Sequence, residues 1–251
     1  MDGPVWVILP TYDEAENLEA VVGGIRAALP EATILVVDDN SPDGTGQLAE
    51  AMGVDVLHRP GKAGLGCAYI AGFAHALNGG AGFVIEMDAD LSHDPADLPR
   101  LVEPALDGAD LVLGSRYVAG GGIENWGLER RVLSRLGCSY ARRVLGVQVR
   151  DLTGGFKCFR ASALHAIEYD TATAQGYAFQ VELTYRVHTL GLTVVEVPIR
   201  FRERRLGESK MSARIALEAA WKVPALRYGP RRWRPPLQVD RASADPVSSE
   251  V

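Results

Sequence analysis

The run Phe83-Val84-Ile85-Glu86-Met87, followed directly by Asp88-Ala89-Asp90, decides both the fold and the chemistry of this chain. The mostly apolar run predicts a buried strand, and two carboxylates follow at its end. Because side chains alternate along a strand, Asp88 and Asp90 are expected to point the same way. Paired carboxylates suit a hard cation such as Mg²⁺ or Mn²⁺, completed by substrate phosphates. Two solvated loop aspartates are the simpler interpretation, and the rest of the sequence argues against it.

Strands and helices alternate along the chain. Apolar runs predict strands at residues 5–9, 34–37, 54–57, 83–87 and 111–114, and periodicity predicts helices at 14–29, 67–77, 95–106 and 128–145. This alternation indicates a mostly parallel, Rossmann-like α/β sheet flanked by helices. Ligands of such sheets bind beyond the carboxyl ends of the strands. Residues 10–14, 38–39 and 88–90 all follow strands, so three stretches are expected to meet in one crevice.

Composition limits the class of protein. The 251 residues are 47% hydrophobic and 23% charged, which fits one globular domain with an appendage. The net charge is −6, but residues 200–234 hold eleven Lys/Arg against three Glu, a local net charge of +8. Such a basic region predicts a phosphate-rich or anionic-membrane partner. Three scattered cysteines favour a reduced, cytoplasmic compartment. No signal peptide and no transmembrane helix are expected.

Six short stretches carry a resemblance to a known family. Pro10-Thr11-Tyr12-Asp13-Glu14-Ala15-Glu16-Asn17-Leu18, Val37-Asp38-Asp39-Asn40-Ser41-Pro42-Asp43-Gly44-Thr45 and Met87-Asp88-Ala89-Asp90-Leu91-Ser92-His93 resemble the nucleotide-sugar signature of family 2 glycosyltransferases with the GT-A fold. Gly114-Ser115-Arg116-Tyr117, Asp151-Leu152-Thr153-Gly154-Gly155-Phe156 and Gly207-Glu208-Ser209-Lys210 narrow the resemblance to the polyprenol-phosphate (dolichol-phosphate) mannosyltransferases. The ordered set runs from residue 5 to residue 210, and its order is more specific than any single piece.

The resemblance implies a substrate pair, a cation and a reaction. The donor would be GDP-mannose, the acceptor a polyprenyl monophosphate, and the cofactor Mg²⁺ or Mn²⁺. The reaction would be one displacement at the anomeric carbon, which inverts α to β and gives polyprenyl-phosphate β-mannose. A phosphomonoester has a second pKa of about 6, so it is a competent nucleophile at neutral pH without a strong general base.

The resemblance also implies roles for particular residues. Contacts with the nucleotide sugar are implied for Pro10, Tyr12, Glu14, Val37, Asp39, Asp88, Ala89, Asp90, Arg116, Arg204 and Lys210. The metal ligands would be Asp88, Asp90 and Ser92, although some relatives have Gln at the position of Ser92. The acceptor phosphate would meet Arg116, Arg130 and Ser134, with Asp90 and Arg116 as the catalytic pair. Arg131 is an alternative to Arg130, and Arg202 and Arg205 are alternatives within the basic loop of Arg204 and Lys210.

A lipid acceptor requires contact with a membrane surface, and two segments suit it. In residues 128–145 an apolar stripe runs beside several arginines, which is typical either of an interfacial helix or of a helix packed on the sheet. The stripe consists of Leu128, Val132, Leu136, Tyr140 and Val144. Residues 211–228, followed by a basic stretch with Trp233, form the second candidate. Attachment would be peripheral on the cytoplasmic face, alone or through a separate membrane-anchoring protein.

The predicted organisation is a GT-A domain at 1–210, a C-terminal amphipathic helix with a basic segment at 211–238 and a disordered tail at 239–251. Two alternative functions stay open: a polyprenyl-phosphate glucosyltransferase that uses UDP-glucose, and a non-catalytic subunit that binds a nucleotide sugar. A Rossmann dehydrogenase is disfavoured, because the glycine-rich stretch 61–66 lacks the G-x-G-x-x-G order after the first strand. No nucleic-acid partner is expected.

Overall fold

The computed structural model describes residues 3–174, 176–203, 213–229, 233 and 235, with backbone only for 213–220. Its strands are β1 (Val5–Thr11), β2 (Thr33–Asp38), β3 (Asp55–His58), β4 (Phe83–Glu86), β5 (Leu111–Ser115), β6 (Gly122–Ile123), β7 (Lys157–Arg160), β8 (Val194–Pro198) and β9 (Arg200–Phe201). Its helices are α1 (Ala15–Ala28), α2 (Thr45–Ala51), α3 (Leu65–Asn78), α4 (Leu98–Leu106), α5 (Leu128–Leu145), α6 (Ala161–Ala166), α7 (Tyr177–Thr189) and α8 (Ala213–Tyr228). Short 3₁₀ helices lie at Pro95–Asp97 and Tyr169–Thr171.

The main sheet has the order β3-β2-β1-β4-β7-β5-β8. Neighbouring strands are parallel except at β7, which is antiparallel to both β4 and β5. The predicted mostly parallel α/β sheet is therefore confirmed. Strands β6 and β9 form a small parallel ribbon beside it. The carboxyl ends of β1, β2, β4 and β5 meet at one edge, and β7 starts from that same edge.

Helices cover both faces of the sheet. Leu18, Val21 and Ile25 of α1 pack with α4 on one face. On the other face, Tyr69 and Phe73 of α3 pack with residues of α5 and α7. All these side chains are fully buried, which is the arrangement expected of an α/β sheet that has two hydrophobic faces.

The predicted strands and helices agree with the structure to within a few residues, but the structure also contains β6, β7, β8, β9, α6 and α7, which were not predicted. The predicted helix 95–106 begins as a 3₁₀ turn, because Pro95 starts it and Oδ1 of Asp94 accepts the N–H of Ala96 at 3.0 Å. Helix α7 was not predicted at all. Its residues 178–184 are all buried, so it lacks the polar face from which a sequence pattern reveals a helix.

Helix α5 has the predicted bounds, with one face packed against the interior and most of the predicted apolar stripe exposed on the other. Ser134, Cys138, Ala141 and Leu145 face the interior. The opposite side leaves Leu128 78% exposed, and Val132, Leu136 and Tyr140 are also exposed. Val144 is partly buried against the core, so the exposed stripe ends one turn earlier than predicted.

The C-terminal helix α8 packs on α5, where Nη1 of Arg227 donates to the carbonyl of Val144 at 2.8 Å. The side chain of Val223 is buried, whereas Trp221 is exposed. No helix among the described residues is long and apolar enough to cross a membrane. The predicted tail at 239–251 and the basic loop with Arg204 and Lys210 lie outside the described residues.

Candidate active site

The loops after β1 and β2 are joined by side chains. Oδ1 of Asp38 accepts the hydroxyls of Thr11 at 3.1 Å and Ser41 at 2.5 Å. The Ser41 hydroxyl oxygen in turn accepts the N–H of Asp13 at 3.2 Å. The Asp38 side chain therefore links the two loops. Of the two neighbouring aspartates, Asp39 is the one expected to contact a ligand.

Asp39 is held by an arginine that the sequence analysis missed. Nη1 of Arg59, which follows β3, lies 2.6 Å from Oδ1 of Asp39. Burial raises the pKa of Asp39, and the Arg59 cation opposes this. Close by, Nζ of Lys62 lies 3.9 Å from the ring centroid of Tyr12, whose side chain is exposed. A carboxylate beside an accessible ring and two cations is suited to the ribose and base of a nucleotide.

Three other residues with predicted nucleotide contacts lie at the same edge. Pro10 of β1 pairs in register with Val37 of β2. Val37 is fully buried, so any nucleotide contact there would come from its backbone. Oε2 of Glu14 accepts the side-chain amide of Asn17 at 2.9 Å, at the start of α1.

The loops after β1, β2 and β4 each contain one non-glycine residue with left-handed backbone. Asp13 and Asn40 have φ of 60°, and Leu91 has φ of 61°. This conformation is uncommon for Asp and Asn and unusual for leucine, and such backbone collects at functional sites. At Leu91 it turns the chain sharply between Asp90 and Ser92.

Asp88 and Asp90 differ in their surroundings. The Asp88 side chain is 36% exposed and lines a cleft. Asp90 is buried, and its Oδ1 accepts the N–H of Ser92 at 3.0 Å. The Ser92 hydroxyl is buried and has no hydrogen-bond partner within the described part of the chain, although Ser92 lines the cleft. Two carboxylates and an unsatisfied hydroxyl are a donor set that fits Mg²⁺ or Mn²⁺.

These three residues would not complete a metal shell alone. Within the ranges that the structure describes, no three His, Cys, Asp or Glu side chains are grouped to hold a metal ion. Mg²⁺ is commonly bound by one or two carboxylates, with water and substrate phosphates as the other ligands. The donor set therefore fits a cation that is bound together with a diphosphate.

The buried His93 side chain supports the loop that contains Asp88 and Asp90. Its Nδ1 accepts the N–H of Asp88 at 3.2 Å, and its ring stacks on Phe156 with centroids 4.8 Å apart. Burial lowers the pKa of His93 to about 4, so the imidazole is neutral at pH 7 and can accept this hydrogen bond. These contacts agree with a structural role in the loop.

Arg116 follows β5 and is gripped by a buried carboxylate. Its Nε and Nη2 donate to the two oxygens of Asp151 at 2.7 and 2.6 Å, and Nη2 also donates to the Thr153 hydroxyl at 3.0 Å. Burial alone would lower the pKa of Arg116, but Asp151 outweighs it and raises that pKa. Among the described residues Nη1 has no hydrogen-bond partner, and Arg116 lines the cleft. Nη1 is therefore the donor left for a ligand.

Arg130 and Ser134 lie one turn apart on α5, as their spacing predicts. The Arg130 guanidinium lies 3.8 Å from the ring centroid of Trp126, and its Nη1 lies 2.8 Å from Oε1 of Glu203. The Ser134 hydroxyl oxygen accepts the hydroxyl of Tyr117 at 2.6 Å. Arg130 lines the cleft, whereas Ser134 lies behind Tyr117 and does not appear among the lining residues that the structure describes.

The lining of the cleft contains charged, polar and aromatic side chains. The cleft is lined by Asp88, Ser92, His93, Gly114, Arg116, Trp126, Arg130, Thr153, Gly154, Gly155, Tyr177, Ile199 and Phe201. The aromatic wall was missed, because Tyr177 and Phe201 belong to elements that were not predicted, α7 and β9, and Trp126 lies in the loop before α5. The cleft thus joins the predicted metal side, at Asp88, to the predicted phosphate side, at Arg116.

A buried polar cluster lies beneath the Asp88 loop. Lys157 of β7 is fully buried and donates to the backbone and side-chain oxygens of Gln180 at 2.7 and 2.6 Å. Burial lowers the pKa of Lys157 to about 8 and raises that of the equally buried Glu86 to about 7, while each charge opposes the shift of the other. The sequence offers a signal for this cluster, because Glu86 and Lys157 are charged residues within the mostly apolar runs 83–87 and 156–159.

Comparisons with known proteins identify the family of the chain. The model of Glycosyl transferase family 2 matches residues 6–168. Polyprenol monophosphomannose synthase from Mycolicibacterium smegmatis is 49% identical over 223 residues, 86% of this chain and 84% of that protein. Undecaprenyl-phosphate mannosyltransferase from Micrococcus luteus is 50% identical over 235 residues, 91% of this chain and 96% of that protein.

Solved structures with the GT-A fold superpose on the chain. Glucosyl-3-phosphoglycerate synthase from Mycobacterium tuberculosis in complex with phosphoglyceric acid gives a TM-score of 0.69 at 22% identity, covering 88% of this chain and 79% of the other. Its complex with Mn²⁺, UDP-glucose and phosphoglyceric acid gives 0.68 at 22% identity, covering 88% and 78%. This likeness shows the shared fold alone. Together with the family match, it shows that the chain belongs to glycosyltransferase family 2, and its sequence groups it with the polyprenyl-phosphate mannosyltransferases of that family.

Proposed function

We propose that the chain is an inverting glycosyltransferase that moves mannose from GDP-mannose to a polyprenyl monophosphate and forms polyprenyl-phosphate β-mannose. One observation carries the proposal: a carboxylate suited to a divalent cation, Asp88, and the free guanidinium nitrogen of Arg116 face the same cleft. Such a cleft can hold a diphosphate at one end and a monophosphate at the other. The names of the two similar mannosyltransferases support this choice of sugar and acceptor.

The donor would lie along the carboxyl ends of β1, β2 and β4. Tyr12 and Lys62 offer a ring and a cation to the base, and Asp39 offers a carboxylate to ribose hydroxyls. Asp88, Asp90 and Ser92 would hold a divalent cation, which supplies Lewis-acid neutralisation of the charge on the departing diphosphate. The presence of Mn²⁺ and UDP-glucose in a solved enzyme of the same fold agrees with this arrangement.

The acceptor would enter from the side of α5. Arg116 and Arg130 offer two guanidinium groups, which bind phosphate oxygens with fixed geometry. A phosphate oxygen attacks the anomeric carbon, the bond to GDP breaks on the opposite face, and the configuration inverts from α to β. Because the phosphomonoester is already ionised, the protein contributes position and charge and needs no strong base. Arg204 and Lys210 are proposed to complete the cationic surround of the donor.

The exposed stripe of α5 would place this cleft at the membrane. Leu128, Val132, Leu136 and Tyr140 are exposed, and the exposed Arg135 and Arg143 lie on the same helix. Each basic residue near an anionic surface contributes roughly 1 kcal/mol to binding. We therefore propose peripheral attachment to the cytoplasmic leaflet, where a polyprenyl phosphate can reach Arg130 without leaving the bilayer.

The test is transfer of labelled sugar to a short polyprenyl phosphate in the presence of Mg²⁺, with either GDP-mannose or UDP-glucose as donor. The expected result is mannose in the lipid phase, and its loss in Asp90→Ala. Transfer of glucose alone would keep the fold and the acceptor but overturn the proposed donor. If neither sugar is transferred, even with membranes supplied, while GDP still binds, the chain is a binding subunit.

A further inference from the structure

Asp151 decides which part of Arg116 faces the cleft. The fully buried Asp151 carboxylate accepts the backbone N–H of Arg116 at 2.9 Å as well as Nε and Nη2. A guanidinium that is gripped along its Nε–Nη2 edge can only present Nη1 on the other side. The direction of Arg116 therefore depends on where the backbone holds Asp151.

That backbone belongs to residues 147–156, which form no helix or strand. One side chain from β8 binds two consecutive peptide groups in it. Oε2 of Glu196 accepts the N–H of Arg150 at 2.8 Å, and Oε1 accepts the N–H of Asp151 at 3.0 Å. One carboxylate that accepts two consecutive N–H groups fixes both peptide planes. This contact replaces the ladder hydrogen bonds that a strand would supply.

Glu196 is itself rigidly placed. It pairs with Leu113 in the parallel register of β5 and β8, and Arg116 follows three residues further along the chain. The path from Glu196 through Asp151 to Arg116 thus begins on β8 and ends just beyond β5, the strand with which β8 pairs.

We propose that Glu196 is a positioning residue for the transfer reaction, which acts on Arg116 through the backbone and carboxylate of Asp151. The inference rests on the proposed function, in which Arg116 Nη1 holds a phosphate. Glu196 touches neither substrate. Its effect on the reaction comes from keeping the Asp151 carboxylate where it can turn the guanidinium towards the cleft.

The first test is Glu196→Gln. Glutamine keeps the size of the side chain but turns an NH₂ group towards one of the two backbone N–H donors. Misplacing a catalytic group by about 1 Å can cost about 100-fold in rate, so we expect kcat/KM for a short polyprenyl phosphate to fall at least about tenfold. The KM for GDP-mannose should change less than the KM for the acceptor, because the contacts proposed for the base, the ribose and the cation do not involve Arg116.

Asp110→Asn is the matched control. Asp110 precedes β5, and its Oδ2 accepts the N–H of Thr193, just before β8, at 2.9 Å. It makes the same kind of contact at the opposite end of the same two strands. We expect Asp110→Asn to lower thermal stability without changing the KM for the acceptor. An equal loss of acceptor kcat/KM in both variants would mean a general structural role and would overturn the inference.

The deciding test places Glu196→Gln in an Arg116→Lys background, because lysine keeps a cation but has no fork for Asp151 to turn. If Glu196 acts through Arg116, the double variant should be no more than about twofold worse than Arg116→Lys alone. If the two losses multiply, the inference is overturned while the proposed role of Arg116 stands. If Arg116→Lys alone leaves transfer unchanged, the proposed role of Arg116 is overturned, and the inference with it. Should Glu196→Gln fail to fold, Glu196→Asp, which can reach only one of the two N–H groups, carries the same prediction with a smaller loss.

Discussion

The guanidinium of Arg59 and the carboxylate of Asp39 form an ion pair with N···O of 2.6 Å, and their side chains are only 12% and 8% exposed. They join the end of β3 to the loop after β2, at the edge where a nucleotide is proposed to lie. Because water is largely excluded from the pair, removing one partner leaves the charge of the other buried and uncompensated. This sets it apart from the ion pairs at the surface of the chain.

We therefore expect Arg59→Ala to lower the free energy of unfolding by about 2 to 3 kcal/mol, somewhat less than for a fully buried pair. The control is Arg100→Ala. Arg100 lies 2.9 Å from Asp97, but its side chain is 49% exposed, so its loss should cost less than about 1 kcal/mol. Urea unfolding at pH 7 measures both. Equal losses would mean that the Arg59 pair is no more than a surface contact.

The pKa of His93 predicts a pH dependence of stability. It falls from the ordinary 6.5 to about 4 because the ring is buried, so the folded state stays neutral where the unfolded state takes up a proton. The contribution of His93 is therefore complete above pH 6.5 and is lost as the pH falls towards 4. In His93→Gln an amide oxygen can still accept the Asp88 N–H, and nothing titrates.

Between pH 7 and pH 5, stability should thus fall less in His93→Gln than in the unmodified chain. The difference should grow by up to about 1.4 kcal/mol per pH unit below 6.5. Urea unfolding at pH 7, 6 and 5 in metal-free buffer measures it, and any constant cost of the substitution cancels. Parallel curves would show that His93 does not titrate differently in the folded state.

Substitution of Asp88 tests the proposed cation site without relying on catalysis. In the presence of GDP, Asp88→Asn should weaken Mn²⁺ binding by at least about tenfold, since it removes a charged ligand. Asp94→Asn in the same loop is the control, because Asn also caps the 3₁₀ turn where Asp94 accepts the Ala96 N–H. Titration followed by the Mn²⁺ electron paramagnetic resonance signal reports both. Unchanged affinity in Asp88→Asn would remove Asp88 from the site.

The exposed stripe of α5 predicts binding to lipid vesicles. Leu128→Ser combined with Leu136→Ser should reduce the fraction that floats with anionic vesicles, because both leucines are exposed and apolar. The control is Leu106→Ser, since Leu106 is also well exposed but ends α4 at the opposite edge of the sheet. Binding should also weaken with salt. If Leu106→Ser has the same effect as the double change, the stripe has no special role.

The parts of the fold that follow from local pattern were predictable. The apolar run before Asp88 and the periodicity of α1 and α5 carry their own signals, and the strand-end rule brought the loops after β1, β2 and β4 together correctly. Among the missed elements, α7 and β7 are determined by their surroundings rather than by their own residues, whereas β8 was missed although it has an apolar run of its own. Helix α7 is buried on all sides, and β7 is a four-residue strand that contains the buried Lys157.

The same distinction applies to the candidate site. Asp88 and Arg116 could be selected because a resemblance marks them. The contacts that hold Asp39 and Arg116 could not, because Arg59 lies 20 residues from Asp39, and Asp151, although it stands in a quoted stretch, lies 35 residues from Arg116. Two residues so far apart in the sequence form no repeating pattern that would reveal a hydrogen bond between them. It becomes visible only when the strand order is known.

Strand β7 runs antiparallel to its neighbours, so at the edge formed by the carboxyl ends of β1, β2, β4 and β5 the chain enters the sheet at β7 and leaves it at the other strands. Strands β1, β2 and β4 send their loops out of the sheet towards the proposed nucleotide, whereas the segment before β7 enters the same edge from outside and brings Asp151 with it. If the chain has the proposed function, recognition of the donor and recognition of the acceptor rest on separate stretches of chain. Substitutions in residues 151–156 would then be expected to alter the choice of acceptor while the nucleotide loops stay as they are.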